Sequence, residues 1–554
     1  MSKRHRGALQ FSVNHGRRAE WMFAVALTAA IVLLHLYFLG RAGGLFRDEV
    51  NSLNLARGAW AGMSHDSFPV LFPFLLRMWN GLGLAGNDAA LRSLGLLISL
   101  FMTAAFWLAA RWLRREPPLW SLVFAGLNAW MIYYGSWLRA YGLGSGMIVL
   151  CAGAAWLFLS GPGVKTWLGF AASAILSVQA LYQNTALVAA ICAGGCAVCL
   201  LRHDLKTAAG VFLGGLTAAI SLLPYWGVIF GMPEAASPLR LDFDRVIAFN
   251  DLNTVLAFPM PQFFWVWCGL AAWVIVRGLA GLAALRRKEH FTLPSPPHGG
   301  PLPCHDAESG RLLYAAVTLV CGIVAFVVFL RLADFPVQPW YFLPLVALAA
   351  VALEASLPRL TGNLRALLWG GVAATALLSA LFAVRVLDYR FTNVDQLAKK
   401  VNGLAGQDDL VVVWPWQFGI TFGHYFDGVC PWTSLPPIAD HSGERFDLLL
   451  AQMRNTNALS PVLATVGATL RAGHTVWVVG SVEDVAGTNA PVSPPPPPLP
   501  YTGWNETPYR FSWGGQLGWY LRRHSLEIQC LDAGTNEDVN EIEQLPLYSV
   551  KGWK

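Results

Sequence analysis

The chain has 554 residues, of which 55% are hydrophobic and only 13% charged, with a mean hydropathy of +0.46. Soluble globular proteins carry about a quarter charged residues, so a wholly soluble protein is excluded. The formal charge of +6 is dispersed through short loops rather than gathered in a patch, which argues against nucleic acid as a partner.

Apolar runs of the length a bilayer requires recur through the first 390 positions. About eleven spans are predicted, near 21–40, 89–110, 118–134, 141–160, 166–183, 185–201, 207–230, 262–285, 311–331, 340–357 and 366–386. Met1 to Arg18 is basic and no small-residue cleavage site follows, so the first run reads as an uncleaved span. Arg17 and Arg18, Arg114 and Arg115, Arg202 and Lys206, Arg286 to Lys288, and Arg359 with Arg365 all fall on one side of that count. Basic loops mark the cytoplasm, so the N-terminus is expected inside and the C-terminus outside.

The opposite face then carries the polar residues. After the first span come Arg47, Asp48 and Glu49. Ionisable residues at a membrane boundary are functional candidates; the plain alternative is that Asp48 and Glu49 cap the next helix. His65 and Asp66 follow, either as a sugar, acceptor or divalent-ion site with Asp48 or as a helix start. Phe68 to Leu84, interrupted by Pro69, Pro73 and Arg77, reads as an interfacial helix. The same face receives Arg139 and Tyr141, the turn Tyr182-Gln183-Asn184, and a cluster of Arg331, Asp334, Gln338 and Tyr341. An Arg331–Asp334 ion pair that only staples its loop competes with a binding role. Arg57 and Arg92 are read as arginines reaching for the interface, with a functional role as the alternative.

Residues 286–310 form a proline- and glycine-rich inner linker. Residues 391–554 form a soluble outer α/β domain, with strands expected at 409–414 and 474–480 and helices near 393–404 and 444–472. Pro494 to Pro498 is a stiff spacer within it. Cys430 and Cys530 are either a disulfide, if the compartment oxidises, or two free thiols. Cys192, Cys196 and Cys199 share a helix face as small packing residues, and none of the nine cysteines has zinc-site spacing. His424 and His441 read as ordinary surface groups.

Charged residues at span ends, rather than at mid-span, suit a substrate with its lipid anchor in the bilayer and its head at the surface. Arginine matches phosphate oxygens, and a carboxylate can deprotonate an acceptor hydroxyl. This points to sugar transfer from a lipid phosphate. A transporter or flippase would place charges at mid-span beside broken helices. A non-catalytic envelope assembly factor would work through its outer domain.

The stretch Arg47-Asp48-Glu49-Val50 with Leu53 to Arg57 resembles the acidic first-loop motif of the GT-C membrane glycosyltransferases, among them the protein O-mannosyltransferases and the lipid A aminoarabinose transferases. His65 to Phe72, then Leu82-Gly83-Leu84, Asp88 and Ala90-Leu91-Arg92-Ser93-Leu94, is similar to the family's continuation. Tyr133-Tyr134 with Leu138-Arg139-Ala140-Tyr141 resembles its aromatic-plus-arginine element. Trp340-Tyr341-Phe342-Leu343-Pro344 resembles a later one, with Trp340 where that element has arginine. The resemblance implies a transmembrane domain at 1–390 of the GT-C type, in the inner membrane of a bacterium, with a periplasmic domain at 391–554. It implies a polyprenyl-phosphate-linked sugar donor, a lipid, glycan or protein acceptor, and inversion at the anomeric carbon. Asp48 would be the general base, Glu49 its partner, and Arg139 the phosphate ligand. Arg331 is the substitute for the arginine that Trp340 displaces.

Overall fold

The computed structural model describes residues 3–58, 68–227, 244–289, 304–333, 337–357, 362–483, 491–497, 504–531 and 537–554, with side chains described except at 3–17, 288–289, 304–306 and 362–366. Nine helices among these are long and apolar enough to cross a membrane: Arg18–Arg41, Asp88–Leu113, Tyr141–Ser160, Asn184–Leu201, Leu205–Tyr225, Phe263–Arg287, Ala307–Ala333, Pro339–Ser356 and Leu367–Leu387. The helix Val164–Ala180, 17 residues long, lies where a tenth span is expected. The chain is an α-helical polytopic membrane protein with a C-terminal α/β domain.

The expected span at 118–134 is not one helix. It consists of a short turn at Leu119–Ser121, a π-helical segment at Leu122–Gly126 and a helix at Ala129–Gly135. Asn128 causes the break. Its side-chain oxygen accepts from the backbone N–H of Trp130 and Met131, capping a new helix, while its amide donates to the Val255 carbonyl at 2.8 Å. The break delivers Tyr133, Tyr134 and the following turn to one end of the bundle. The predicted interfacial helix is Leu71–Gly81, with Phe72 and Leu76 buried and Met78 exposed.

The two ends of the bundle have different chemistry. At one end, Arg114 Nη1 donates to Glu354 Oε1 at 2.9 Å, and the N–H groups of Trp120 and Ser121 donate to Glu354 Oε2. At the other lie Asp48, Arg139 and Tyr341. The span Pro339–Ser356 carries Tyr341 at its start and Glu354 near its finish, so about 20 Å of helix separates the two groups.

The C-terminal domain is a five-stranded sheet in the order β2-β1-β3-β5-β4, with β1 at Leu410–Val413, β2 at Trp432–Ser434, β3 at Val476–Val479, β4 at Ser525–Leu531 and β5 at Leu547–Trp553. β1 is parallel to β2 and β3, while β5 is antiparallel to β3 and β4. β1 and β3 are apolar throughout and wholly buried, as strands covered on both faces must be. The expected helix at 444–472 is two helices, Phe446–Arg454 and Ser460–Arg471. Cys430 and Cys530 are free thiols: Cys430 precedes β2 and Cys530 lies on β4, at opposite edges of the sheet, too far apart for a disulfide.

This domain is docked on the bundle rather than tethered beside it. Phe391 N–H donates to the Ala42 carbonyl, and its ring is buried in the transmembrane core. Tyr425 Oη donates to Asp88 Oδ2 at 2.7 Å and accepts from Leu45 N–H at 2.6 Å. Asn540 Nδ2 donates to Tyr133 Oη at 3.0 Å.

Candidate active site

The first span, within helix α1 (Lys3–Arg41), ends in a turn that must reverse into helix α2 (Arg47–Arg57). Gly43 sits in that turn at φ +69, a conformation that favours glycine, with the Arg390 guanidinium lying against it. Asp48 and Glu49 occupy the first turn of α2, where the helix dipole favours acidic groups. Their surroundings differ.

Glu49 is fully buried and both its oxygens are taken. Oε1 accepts from Arg92 Nη1 at 3.0 Å and from Leu138 N–H at 3.0 Å. Oε2 accepts from Phe46 N–H at 2.8 Å and lies 2.9 Å from Arg92 Nη2. Arg92 is 3% exposed and also donates to the carbonyls of Gly43 and Gly44. It does not reach for the interface as the sequence suggests, because it closes the turn on which α2 stands.

Glu49 thereby fixes the turn 136–140 through Leu138. That turn packs hard on the span Asp88–Leu113: a Cβ on Gly95 would come within 2.0 Å of the Ser136 carbonyl oxygen. Ser136 Oγ is hydrogen-bonded to His35 Nδ1 at 3.0 Å. From this turn Arg139 reaches α2. Its Nη1 donates to the Asp48 carbonyl at 3.2 Å and to Ser52 Oγ at 3.1 Å, and its Nη2 lies 3.7 Å from Asp48 Oδ2. The Arg139 Cζ sits 4.4 Å from the centroid of the Phe68 ring.

Asp48 has a second arginine. Arg47 Nε is 3.2 Å from Asp48 Oδ1 and 3.3 Å from Glu444 Oε1. The Arg47 backbone N–H donates to Glu543 Oε1 at 2.9 Å. The two glutamates belong to the C-terminal domain, and sequence reasoning missed both. They stand nearly 400 residues or more from Asp48, and no local motif marks them. Arg47 is legible as part of the acidic motif and Phe68 as the first residue of the expected interfacial stretch, neither with a role attached.

Burial raises the Asp48 carboxyl, but Arg139 and Arg47 outweigh it and hold its pKa below the ordinary carboxylate value. Glu444 moves the other way: burial dominates, against the pull of Arg47, and Asp48 adds repulsion. Burial pushes Glu543 up to about 8.

Beside this charge cluster is an aromatic wall. Tyr141 meets Phe68 edge-on at 5.4 Å and Tyr341 at 5.9 Å. Trp340, the residue that stands in place of arginine, is buried against Tyr134 and Trp137. Tyr141 and Tyr341 are thus brought to Asp48 and Arg139. Arg331 is exposed in the last turn of Cys304–Ala333, and among the described residues the ion pairs of Asp48 are with Arg47 and Arg139. Gln338 precedes the short 3-10 turn Pro339–Phe342. His65, Asp66 and Asp334 lie outside the described residues, and with them the ion pair suggested for Arg331 and the cation suggested for His65. Gln183 and Asn184 serve packing: Gln183 donates to the Tyr341 carbonyl, and Asn184 donates to Gly144 and Ser177. His441 is not an ordinary surface group. It is half-buried, with its ring 4.9 Å from Trp432. Among the described residues no three His, Cys, Asp or Glu side chains are grouped to hold a metal ion.

The fold and site together define a polytopic membrane protein whose carboxylate–arginine centre lies at the end of its helical bundle, under a docked soluble domain. Among solved structures it is similar to ArnT from Cupriavidus metallidurans bound to undecaprenyl phosphate, at 14% identity and TM-score 0.44, over 82% of this chain and 92% of that one. It is similar to the apo state of the same protein at 13% identity and TM-score 0.47, with the same coverage. No family profile matches the sequence, and no curated protein matches it.

Proposed function

We propose that the protein is a GT-C-type membrane glycosyltransferase, moving a sugar from a polyprenyl-phosphate donor to an acceptor hydroxyl at the outer face of the bacterial inner membrane. The observation that carries the reading is the Asp48–Arg139 pair: an acid and a cation 3.7 Å apart, at the ends of spans, beside an aromatic wall. The Asp48 carboxylate takes the acceptor hydroxyl proton as that oxygen attacks the anomeric carbon. The bond from that carbon to the phosphate oxygen breaks, and the phosphate leaves with the electron pair. Attack opposite the leaving group inverts the configuration. Arg139 binds the phosphate and stabilises the charge developing on it.

The resting pair fits this sequence of events. Tied to two arginines, Asp48 is a weak base. A donor phosphate that draws Arg139 to itself removes one of the charges holding Asp48's pKa down, so donor binding makes the base. Glu49 and Arg92 keep α2 and the 136–140 turn in register, and Tyr141 and Tyr341 pack against the sugar or the first isoprene units. The N-terminus is cytoplasmic and the C-terminal domain periplasmic in this reading.

The test is Asp48→Asn in proteoliposomes, supplied with a panel of tritiated undecaprenyl-phosphate hexoses and pentoses and with envelope lipid and glycan acceptors. Loss of a general base costs about 10²- to 10⁴-fold in transfer, while binding of undecaprenyl phosphate is retained. Transfer at the wild-type rate would remove Asp48 as the base. Movement of labelled lipid across the bilayer with no transfer product from the wild type would replace the whole reading with a flippase.

A further inference from the structure

Two arginines hold Asp48, and the proposed donor phosphate accounts for the release of only one. The other, Arg47, is shared almost equally: its Nε is 3.2 Å from Asp48 and 3.3 Å from Glu444. The Arg47 backbone is pinned by its N–H bond to Glu543, so the sharing is decided by the side chain alone. The Glu444 loop is itself docked on α2, for a Cβ on Gly443 would come within 2.8 Å of Asn51 Oδ1. Its neighbour Arg445 is occupied by Asp440 and Asp447 on the same segment, leaving Glu444 facing Arg47.

We propose that Glu444, contributed by the C-terminal domain, is a positioning residue for the transfer reaction: it draws Arg47 from the Asp48 carboxylate and so keeps Asp48 able to accept a proton. The inference rests on the reading of Asp48 as the base, and it gives the docked domain a part in the chemistry. Among the described residues, the charged and titratable groups facing Asp48 are Arg47 on its own helix, Arg139 from the turn before Tyr141–Ser160, Tyr141 and Tyr341 from the spans, and Glu444 and Glu543 from the C-terminal domain. Glu444 in turn faces Arg139 and Glu506.

Glu444 is the first of the two carboxylates to take up a proton as pH falls, because burial lifts it while the arginines hold Asp48 low. Once neutral, it no longer competes for Arg47, which turns wholly to Asp48 and weakens the base. Activity therefore falls along an acid limb set by Glu444, above the limb set by Asp48.

The experiment uses the full-length protein in proteoliposomes, with the same tritiated undecaprenyl-phosphate sugars at saturation, and records kcat against pH. Glu444→Gln is expected to bind undecaprenyl phosphate as the wild type does, to lose about 10- to 100-fold in kcat, as misplaced catalytic groups do, and to lack the upper acid limb. Glu444→Asp, which keeps the charge, restores part of the rate and the limb. In an Arg47→Gln background, Glu444→Gln has no further effect. The inference is overturned if Glu444→Gln keeps the wild-type rate and profile, if its loss of rate leaves the upper acid limb in place, or if the loss is as large without Arg47. Asp48→Asn at the wild-type rate removes the base and this inference together. An inactive Asp48→Asn with an unaltered Glu444→Gln removes this inference alone.

Discussion

Glu49 and Arg92 form a 2.9 Å ion pair between side chains that are 0% and 3% exposed. Adjacent in sequence, Asp48 and Glu49 are thus unlike in structure: one faces a partly open site and the other is closed off. Breaking a buried pair by removing one partner costs about 3–5 kcal/mol, because the remaining charge has lost its compensation. Glu49→Gln and Arg92→Met are each expected to lower the unfolding midpoint of the purified protein sharply. The double variant Glu49→Leu/Arg92→Met should recover part of the loss. Single variants as stable as the wild type would show that the pair does not hold the turn.

The transmembrane architecture was legible because bilayer length and hydrophobicity impose themselves on every span, and the strands of the C-terminal domain because Leu410 to Val413 and Val476 to Val479 are continuous apolar runs. The break at Asn128 was not, since one asparagine in an apolar run carries no signal until its partners are known. Arg92 and Arg57 look alike in sequence. Only the fold shows that Arg92 meets Glu49. Asp48, Arg139, Tyr141 and Tyr341 could be assigned to one face by counting spans. Glu444 and Glu543 could not, because their part depends on how a separate domain docks.

Arg139 presents Nη1 and Nη2 toward Asp48 and Ser52, a fork that suits two phosphate oxygens. Arg139→Ala is expected to weaken undecaprenyl phosphate binding about 10- to 100-fold, in line with hydrogen bonds to charged groups. Arg139→Lys restores little, because an ammonium group is a point charge without the planar fork. Binding to the detergent-solubilised protein, titrated with undecaprenyl phosphate, checks both. Unchanged affinity in Arg139→Ala would assign the phosphate to another cation.

At the far end of the bundle, Glu354 accepts from Arg114 and from two backbone N–H groups that begin the broken segment after Pro118. This is a structural knot at the opposite end of the bundle from Asp48. Glu354→Ala is expected to lower thermal stability by about 3–5 kcal/mol, as loss of one partner of a buried pair does, and to leave kcat per folded molecule unchanged. A selective loss of kcat at full stability would contradict the separation of the two ends.

Glu543 carries the clearest pH dependence of docking. It is fully buried, accepts from Arg47 N–H, and burial lifts it from 4.5 to about 8. Between those values the folded protein keeps a proton that the unfolded chain has lost. Stability is therefore fully present below about pH 4.5, falls as pH rises, and is level again above about 8. Glu543→Gln is neutral at every pH and keeps an acceptor oxygen for Arg47. It should match the wild type at pH 5, exceed it in thermal stability at pH 8.5, and flatten the slope between them. Unfolding midpoints of both proteins across that range provide the measurement. An equal slope in the variant would show that Glu543 does not carry the proton that docking retains.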